Sequence, residues 1–206
     1  MTDMKKYYLI SAIAIAALGA ALALSQPSQQ ATTASHAVLV TNQAPTGGDF
    51  TLTGTRGKVS LHDYAGKIVL LYFGYTTCPD ICPTNLGNLS SAMRLLSEEE
   101  RNKVQVLMIS VDPERDDQTK MDTYLPYFHP SFKGLTGTPE QIAEIAKRYG
   151  AVYQKAALGE GALGYSVDHS AFTYLINAQG KLVEQLPHAT TGEEFVTAIR
   201  AQLTAQ

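Results

Sequence analysis

The sequence predicts an α/β domain built on a central mixed β-sheet flanked by helices, and three observations predict it. Lys67 to Tyr75 and Val104 to Val111 are nearly unbroken apolar runs of strand length, as expected of strands covered on both faces. A helical pattern lies between them, and the order strand, helix, strand implies a parallel pair joined by a right-handed crossover. Ala171 to Asn177 and Lys181 to Leu186 flank Ala178-Gln179-Gly180, a hairpin turn signal, so two later strands are antiparallel.

From the N-terminus, Lys5 and Lys6 precede an uncharged run from Tyr7 to Leu24 rich in Ala, Ile and Leu. As a helix this run spans about 27 Å, close to the hydrocarbon thickness of a bilayer. The lysines favour the cytoplasmic side, which sends the rest of the chain across the membrane. Residues 1–24 are therefore expected to be a single membrane anchor. The rival is a cleaved signal sequence, since Ala21-Leu22-Ala23 fits a small-x-small cleavage pattern. Either way the folded body lies in the periplasm or another extracytoplasmic space, anchored at the inner membrane if uncleaved. Residues 25–44, rich in Gln, Ser, Thr, Ala and Pro, read as a flexible linker. Residues 45–206 are left as one domain of ordinary size, able to form a core without disulfides or metal.

Within that domain, Phe50 to Thr53 and Val59 to Leu61 flank a Gly54-Thr55-Arg56-Gly57 turn and predict an N-terminal β-hairpin. After the first long strand, Pro83 suits a helix's first turn. Leu86, Leu89, Met93 and Leu96 then follow at helical spacing, so a helix is expected from near Cys82 to Ser97. Gln118 to Phe128 is a second expected helix, behind the polar Asp112 to Asp117 loop. Thr138-Pro139-Glu140-Gln141 places a cap, a first-turn proline and a capping-box glutamine in order, with Gly150 to close that helix. Thr191-x-x-Glu194 caps a last helix ending near Leu203. This order is that of a thioredoxin-like fold.

Cys78-Pro79-Asp80-Ile81-Cys82 sets the chain's two cysteines four positions apart where strand passes into helix. With Cys82 in the first helical turn, both sulfurs can face one point. Unpaired N–H groups at the helix start stabilise negative charge and favour thiolate, the form that attacks disulfides or binds metal. Three intervening residues, rather than the two of the usual redox pair, leave room for an ion. A plain disulfide or two inert buried thiols are the bland alternatives in an exported protein. His169, in Asp168-His169-Ser170, precedes a predicted buried strand. With two thiolates it completes a soft donor set suited to copper(I), and zinc or another thiophilic ion fits the same ligand types. Asp112 ends the second long strand at the same sheet edge and is a candidate extra ligand or a partner to His169. His36 lies in the linker, and His62, His129 and His188 lack any paired ligand pattern, so these four read as surface residues. A net charge of −3 without a basic block argues against nucleic-acid binding. No phosphate loop, nucleotide fingerprint or catalytic serine pattern is present in the sequence.

Three blocks, Tyr72-Phe73-Gly74-Tyr75-Thr76-Thr77-Cys78-Pro79-Asp80-Ile81-Cys82-Pro83, Val111-Asp112-Pro113-Glu114-Arg115-Asp116 and Asp168-His169-Ser170, closely resemble the SCO/SenC family, over about residues 45 to 205. The resemblance implies a thioredoxin fold exported on an N-terminal anchor, with Cys78, Cys82 and His169 as copper ligands. It further implies a metallochaperone, rather than an enzyme, that serves assembly of the binuclear copper centre of cytochrome c oxidase. Its partners would be the oxidase's copper-bearing subunit and other copper chaperones or thioredoxin-like reductants. The segment Gly159 to Gly164 reads as a mobile loop bearing His169 toward or away from the thiols.

The alternative is a thiol-disulfide oxidoreductase that keeps the oxidase's ligand cysteines reduced, with Cys78 attacking and Cys82 resolving. A peroxiredoxin-like reading is weaker, because Tyr75 stands where that chemistry needs a threonine.

Overall fold

The computed structural model describes residues 44–157 and 164–205. The expected anchor, nearly all of the expected linker, and residues 159–163 of the expected loop lie outside them. Among the described residues no helix is long and apolar enough to cross a membrane.

The first expected hairpin is present as β1 (Thr51–Gly54) and β2 (Gly57–Ser60), paired antiparallel. A single 3-10 turn, Leu61–Tyr64, leads to β3 (Ile68–Gly74), every residue of which is buried. Helix α1 (Ile81–Leu95) buries Cys82, Leu86, Leu89 and Met93 along one stripe. After the short α2 (Glu98–Asn102), β4 (Val104–Ser110) runs parallel to β3, as the crossover requires. Then come α3 (Gln118–Tyr124), β5 (Lys133–Leu135) and α4 (Pro139–Tyr149). β6 (Tyr153–Ala157) and β7 (Tyr165–His169) form an antiparallel ribbon. β8 (Thr173–Ile176), β9 (Leu182–Leu186) and α5 (Gly192–Thr204) complete the described chain. The central sheet has the order β5-β4-β3-β8-β9, parallel on one side of β3 and antiparallel on the other.

Because strand side chains alternate, neighbours on β3 serve opposite layers. Phe73 meets Tyr149 of α4 and Tyr174 of β8, with ring centroids 6.1 and 5.5 Å away. Tyr72 points the other way, to Cys82 of α1. Helices thus cover both faces, and α5 lies beside α1, where a Cβ on Gly192 would come within 2.8 Å of the Ser91 hydroxyl. Each fully buried large apolar side chain contributes about 1.5–3 kcal/mol, so this double-sided strand anchors the fold.

Three departures from expectation have local causes. The helix expected to run to Phe128 stops at Tyr124, and Leu125–Tyr127 tightens into a 3-10 turn. Pro126 has no N–H for the next α-helical bond, and its ring crowds the carbonyl one turn back. β5 is three residues long around Gly134, too short to signal itself. The β6–β7 ribbon is largely half-exposed, and its Gln, Lys, Ser and Asp side chains hide any apolar alternation.

Candidate metal centre

The site forms where β3 ends. The turn Tyr75 to Thr77 leaves the sheet under the control of Asp116, which is wholly buried. Its carboxylate accepts from the Thr76 amide at 2.8 Å, the Thr76 hydroxyl at 2.5 Å and the Ser110 hydroxyl at 2.8 Å. A fixed anion at this point sets the path of the chain into Cys78. Helix α1 then begins without a side-chain cap at Asp80. One of its orphan amides, that of Cys82, donates to Cys78 Sγ at 3.4 Å. The helix start thus aims backbone dipole at the first sulfur, as the sequence position implied.

His169 arrives on a different element, as the last residue of β7, paired with Tyr153. Its Nε2 lies 3.3 Å from Cys82 Sγ, and its Nδ1 lies 3.2 Å from the Ser170 carbonyl. A carbonyl can only accept, so Nδ1 is the donor in the Ser170 contact, which leaves Nε2 as the ring atom facing the sulfur. The ligating atoms of Cys78, Cys82 and His169 all lie within 4.8 Å of one another, close enough to share one ion. Tyr72 and Tyr75 meet the imidazole edge-on, at centroid distances of 6.0 and 5.8 Å. The Val167 amide donates to the Tyr75 hydroxyl at 3.3 Å, tying the ribbon to the cysteine turn.

The two sulfurs differ in setting. Cys78 is 8% exposed and borders an open cleft of about 300 Å³ lined also by Pro79, Ile81 and Ser166 to His169, whereas Cys82 is fully buried. A hydrogen bond from the Cys82 thiol, supported by His169 and the amides of Asp80 and Cys82, lowers the Cys78 thiol to about 3. Burial, with the charge and hydrogen bonding of Cys78 beside it, pushes Cys82 up. In the metal-free dithiol one proton is therefore shared and resides on Cys82, with Cys78 as thiolate. Burial also raises Tyr72, which stays protonated and donates to Cys82 Sγ at 3.5 Å.

Asp112 is also buried, but its neighbours are not those weighed from the sequence. One oxygen accepts from Arg115 Nε, and the other from the Tyr165 hydroxyl at 2.7 Å. The structure does not bring it into the group formed by the two cysteines and His169. Instead it fastens the start of β7: the Arg115 guanidinium lies 3.7 Å over the Tyr165 ring and donates to the Tyr165 carbonyl at 2.9 Å. Of the other histidines in the described residues, His62 is exposed, while His129 and His188 are half-buried rather than plainly on the surface. Sequence reading missed Tyr72 and Tyr165 as site neighbours. Tyr72 could have been found as the one residue with a polar group in an otherwise apolar strand, since a buried phenol must find an acceptor.

Known proteins resemble this chain in sequence and, where solved, in fold. The cattle protein described as a mitochondrial SCO2 homolog is 38% identical over 200 residues, covering 96% of this chain and 75% of its own. The structure of Bradyrhizobium japonicum ScoI with copper bound is 37% identical, with a TM-score of 0.68 over 76% of this chain and 98% of that one. Yeast Sco1 with copper bound is 33% identical, with a TM-score of 0.70 over 78% of this chain and 89% of its own. The family model described as SCO1/SenC matches residues 39–204, which spans the hairpin, both cysteines, the ribbon and the last helix, and the chain belongs to that family.

Proposed function

We propose that this protein carries copper, held by Cys78, Cys82 and His169, to the copper-bearing subunit of cytochrome c oxidase during assembly of its copper centre. The observation that carries the reading is the convergence of two sulfurs and one imidazole nitrogen within 4.8 Å, from elements about ninety residues apart. Two soft sulfurs and a neutral nitrogen suit copper(I), which favours thiolate and imidazole over oxygen donors. Relatives at 37% and 33% identity have been solved with copper bound, which supports copper over zinc. When bound, the metal is cargo, and the residues here give it three donors beside an open cleft. An incoming donor sulfur from a partner can enter on the Cys78 side, as ligand exchange needs.

In this reading the domain works outside the cytoplasm, tethered by the apolar run of residues 7–24 and spaced from the membrane by residues 25–44. Its metal comes from, or its thiols are reduced by, other copper chaperones or thioredoxin-like proteins.

One observation favours a second reading, a thiol-disulfide oxidoreductase. Cys78 is ionised and borders the cleft while Cys82 is buried and protonated, the division expected of an attacking and a resolving thiol. His169→Ala in cells separates the two. The copper reading predicts loss of assembled oxidase, because the third donor is gone. Normal oxidase assembly by the variant contradicts it and leaves the redox role.

A further inference from the structure

β3 is apolar and wholly buried except for one polar group, the Tyr72 hydroxyl. Among the described residues that hydroxyl makes one hydrogen bond, to Cys82 Sγ at 3.5 Å. The approach depends on Gly74, two residues along the same strand face. A Cβ at Gly74 would sit 2.6 Å from Tyr72 Cε1 and 2.9 Å from Cys82 Sγ. The missing side chain lets the ring lean along the strand until its hydroxyl reaches the sulfur. The ring also borders His169 edge-on, at 6.0 Å and 74°. Tyr72 thus touches two members of the donor set without being a ligand itself.

We infer that Tyr72 is a positioning residue of the metal centre, whose phenol donates to the Cys82 sulfur when that sulfur ligates the ion. This inference rests on the copper reading. As a ligand, Cys82 must carry negative charge in a place closed to water. No solvent is there to stabilise it, so a buried donor supplies what hydration cannot. The hydrogen bond draws electron density from the sulfur and restricts its lone pairs, as partners of metal ligands do elsewhere. A phenylalanine at position 72 would fill the same volume and keep the contact with His169. Only the donor would be lost.

The test uses the full-length protein and its Tyr72→Phe variant, loaded with copper(II) for absorption spectra and with copper(I) for competition titration. Loss of the donor raises sulfur electron density, so the sulfur-to-copper(II) charge-transfer band moves to lower energy. Copper(I) affinity falls by about tenfold, the lower end of the effect seen on removing partners of metal ligands. Tyr174→Phe removes a buried hydroxyl on the opposite face of the sheet, and it leaves band and affinity unchanged. Identical bands and affinities for wild type and Tyr72→Phe would overturn the inference, while the copper reading would stand. Failure of the wild type to bind copper would instead sink that reading. Should Tyr72→Phe fail to fold, NMR of the wild-type copper(I) form decides. A slowly exchanging Tyr72 hydroxyl proton with a nuclear Overhauser contact to the Cys82 β-protons supports the inference, and absence of that contact overturns it.

Discussion

Replacing either Cys78 or Cys82 with Ala abolishes tight copper(I) binding, whereas His169→Ala weakens it. The difference follows from the kind of donor each residue supplies. Each cysteine contributes a soft, anionic sulfur, and two such sulfurs already make a favourable pair for copper(I). The imidazole adds a neutral third donor. Cys82→Ala has a further consequence: Cys78 loses the hydrogen bond that does most to hold it as thiolate. Cys78→Ala leaves Cys82 alone in a buried pocket that disfavours its charge. A competition titration of the reduced protein should show both cysteine variants losing more than about 100-fold in affinity, beyond the usual range for residues that only touch a ligand. Wild-type affinity in either cysteine variant would contradict the ligand assignment.

Metal-free, reduced protein treated with an alkylating reagent should be modified at Cys78 at a rate nearly independent of pH between about 5 and 8. An ordinary thiol, ionising near 8.5, reacts about tenfold faster per pH unit over that range as its thiolate fraction grows. Cys78, lowered to about 3, is already ionised throughout it. Cys82, pushed up by burial, remains protonated and should react more than about 100-fold more slowly. Mass spectrometry of peptides taken over a time course at several pH values reads both rates. The same shifts fix the sign of a stability effect. Below about 8.5 the unfolded chain holds both thiol protons and the folded chain one, so the pair's contribution grows as pH rises from about 3. Above about 8.5 the unfolded chain sheds both while folded Cys82 keeps its proton, so the contribution falls again. A Cys78 rate that climbs with pH like a free thiol would show that the Cys82 hydrogen bond and the helix start do not hold the charge.

Much of the fold was legible because its elements carry strong local signals. β3 and β4 are uninterrupted apolar runs, and α4 has its cap, proline, capping-box glutamine and closing glycine in order. The capping box at Thr138 and Gln141 and the left-handed Gly150, with φ of 71°, appear as those residues suggested. The ribbon was not legible, since neither β6 nor β7 has an apolar face of its own. It is held by particular side chains: Tyr165 between Arg115 and Lys155, and Lys155 bound to Glu114 at 2.6 Å. The contacts of Arg115 with Tyr165 and of Glu114 with Lys155 join residues roughly forty to fifty positions apart and leave no periodic trace. The candidate donors themselves stood out through their types and through the resemblance of three short blocks. The role weighed for Asp112 illustrates the limit. Its position at a sheet edge was evident, but which of several nearby groups claims its oxygens depends on where Arg115 and Tyr165 fold.

X-ray absorption at the copper edge of the reduced, copper(I)-loaded protein, compared with His169→Ala, bears most directly on the whole account. Two sulfur scatterers and one imidazole nitrogen in the wild type, with the imidazole signal absent from the variant, is the predicted result. Identical spectra from the two proteins would mean that the late-chain ring does not bond the ion, and the three-donor centre would have to be abandoned.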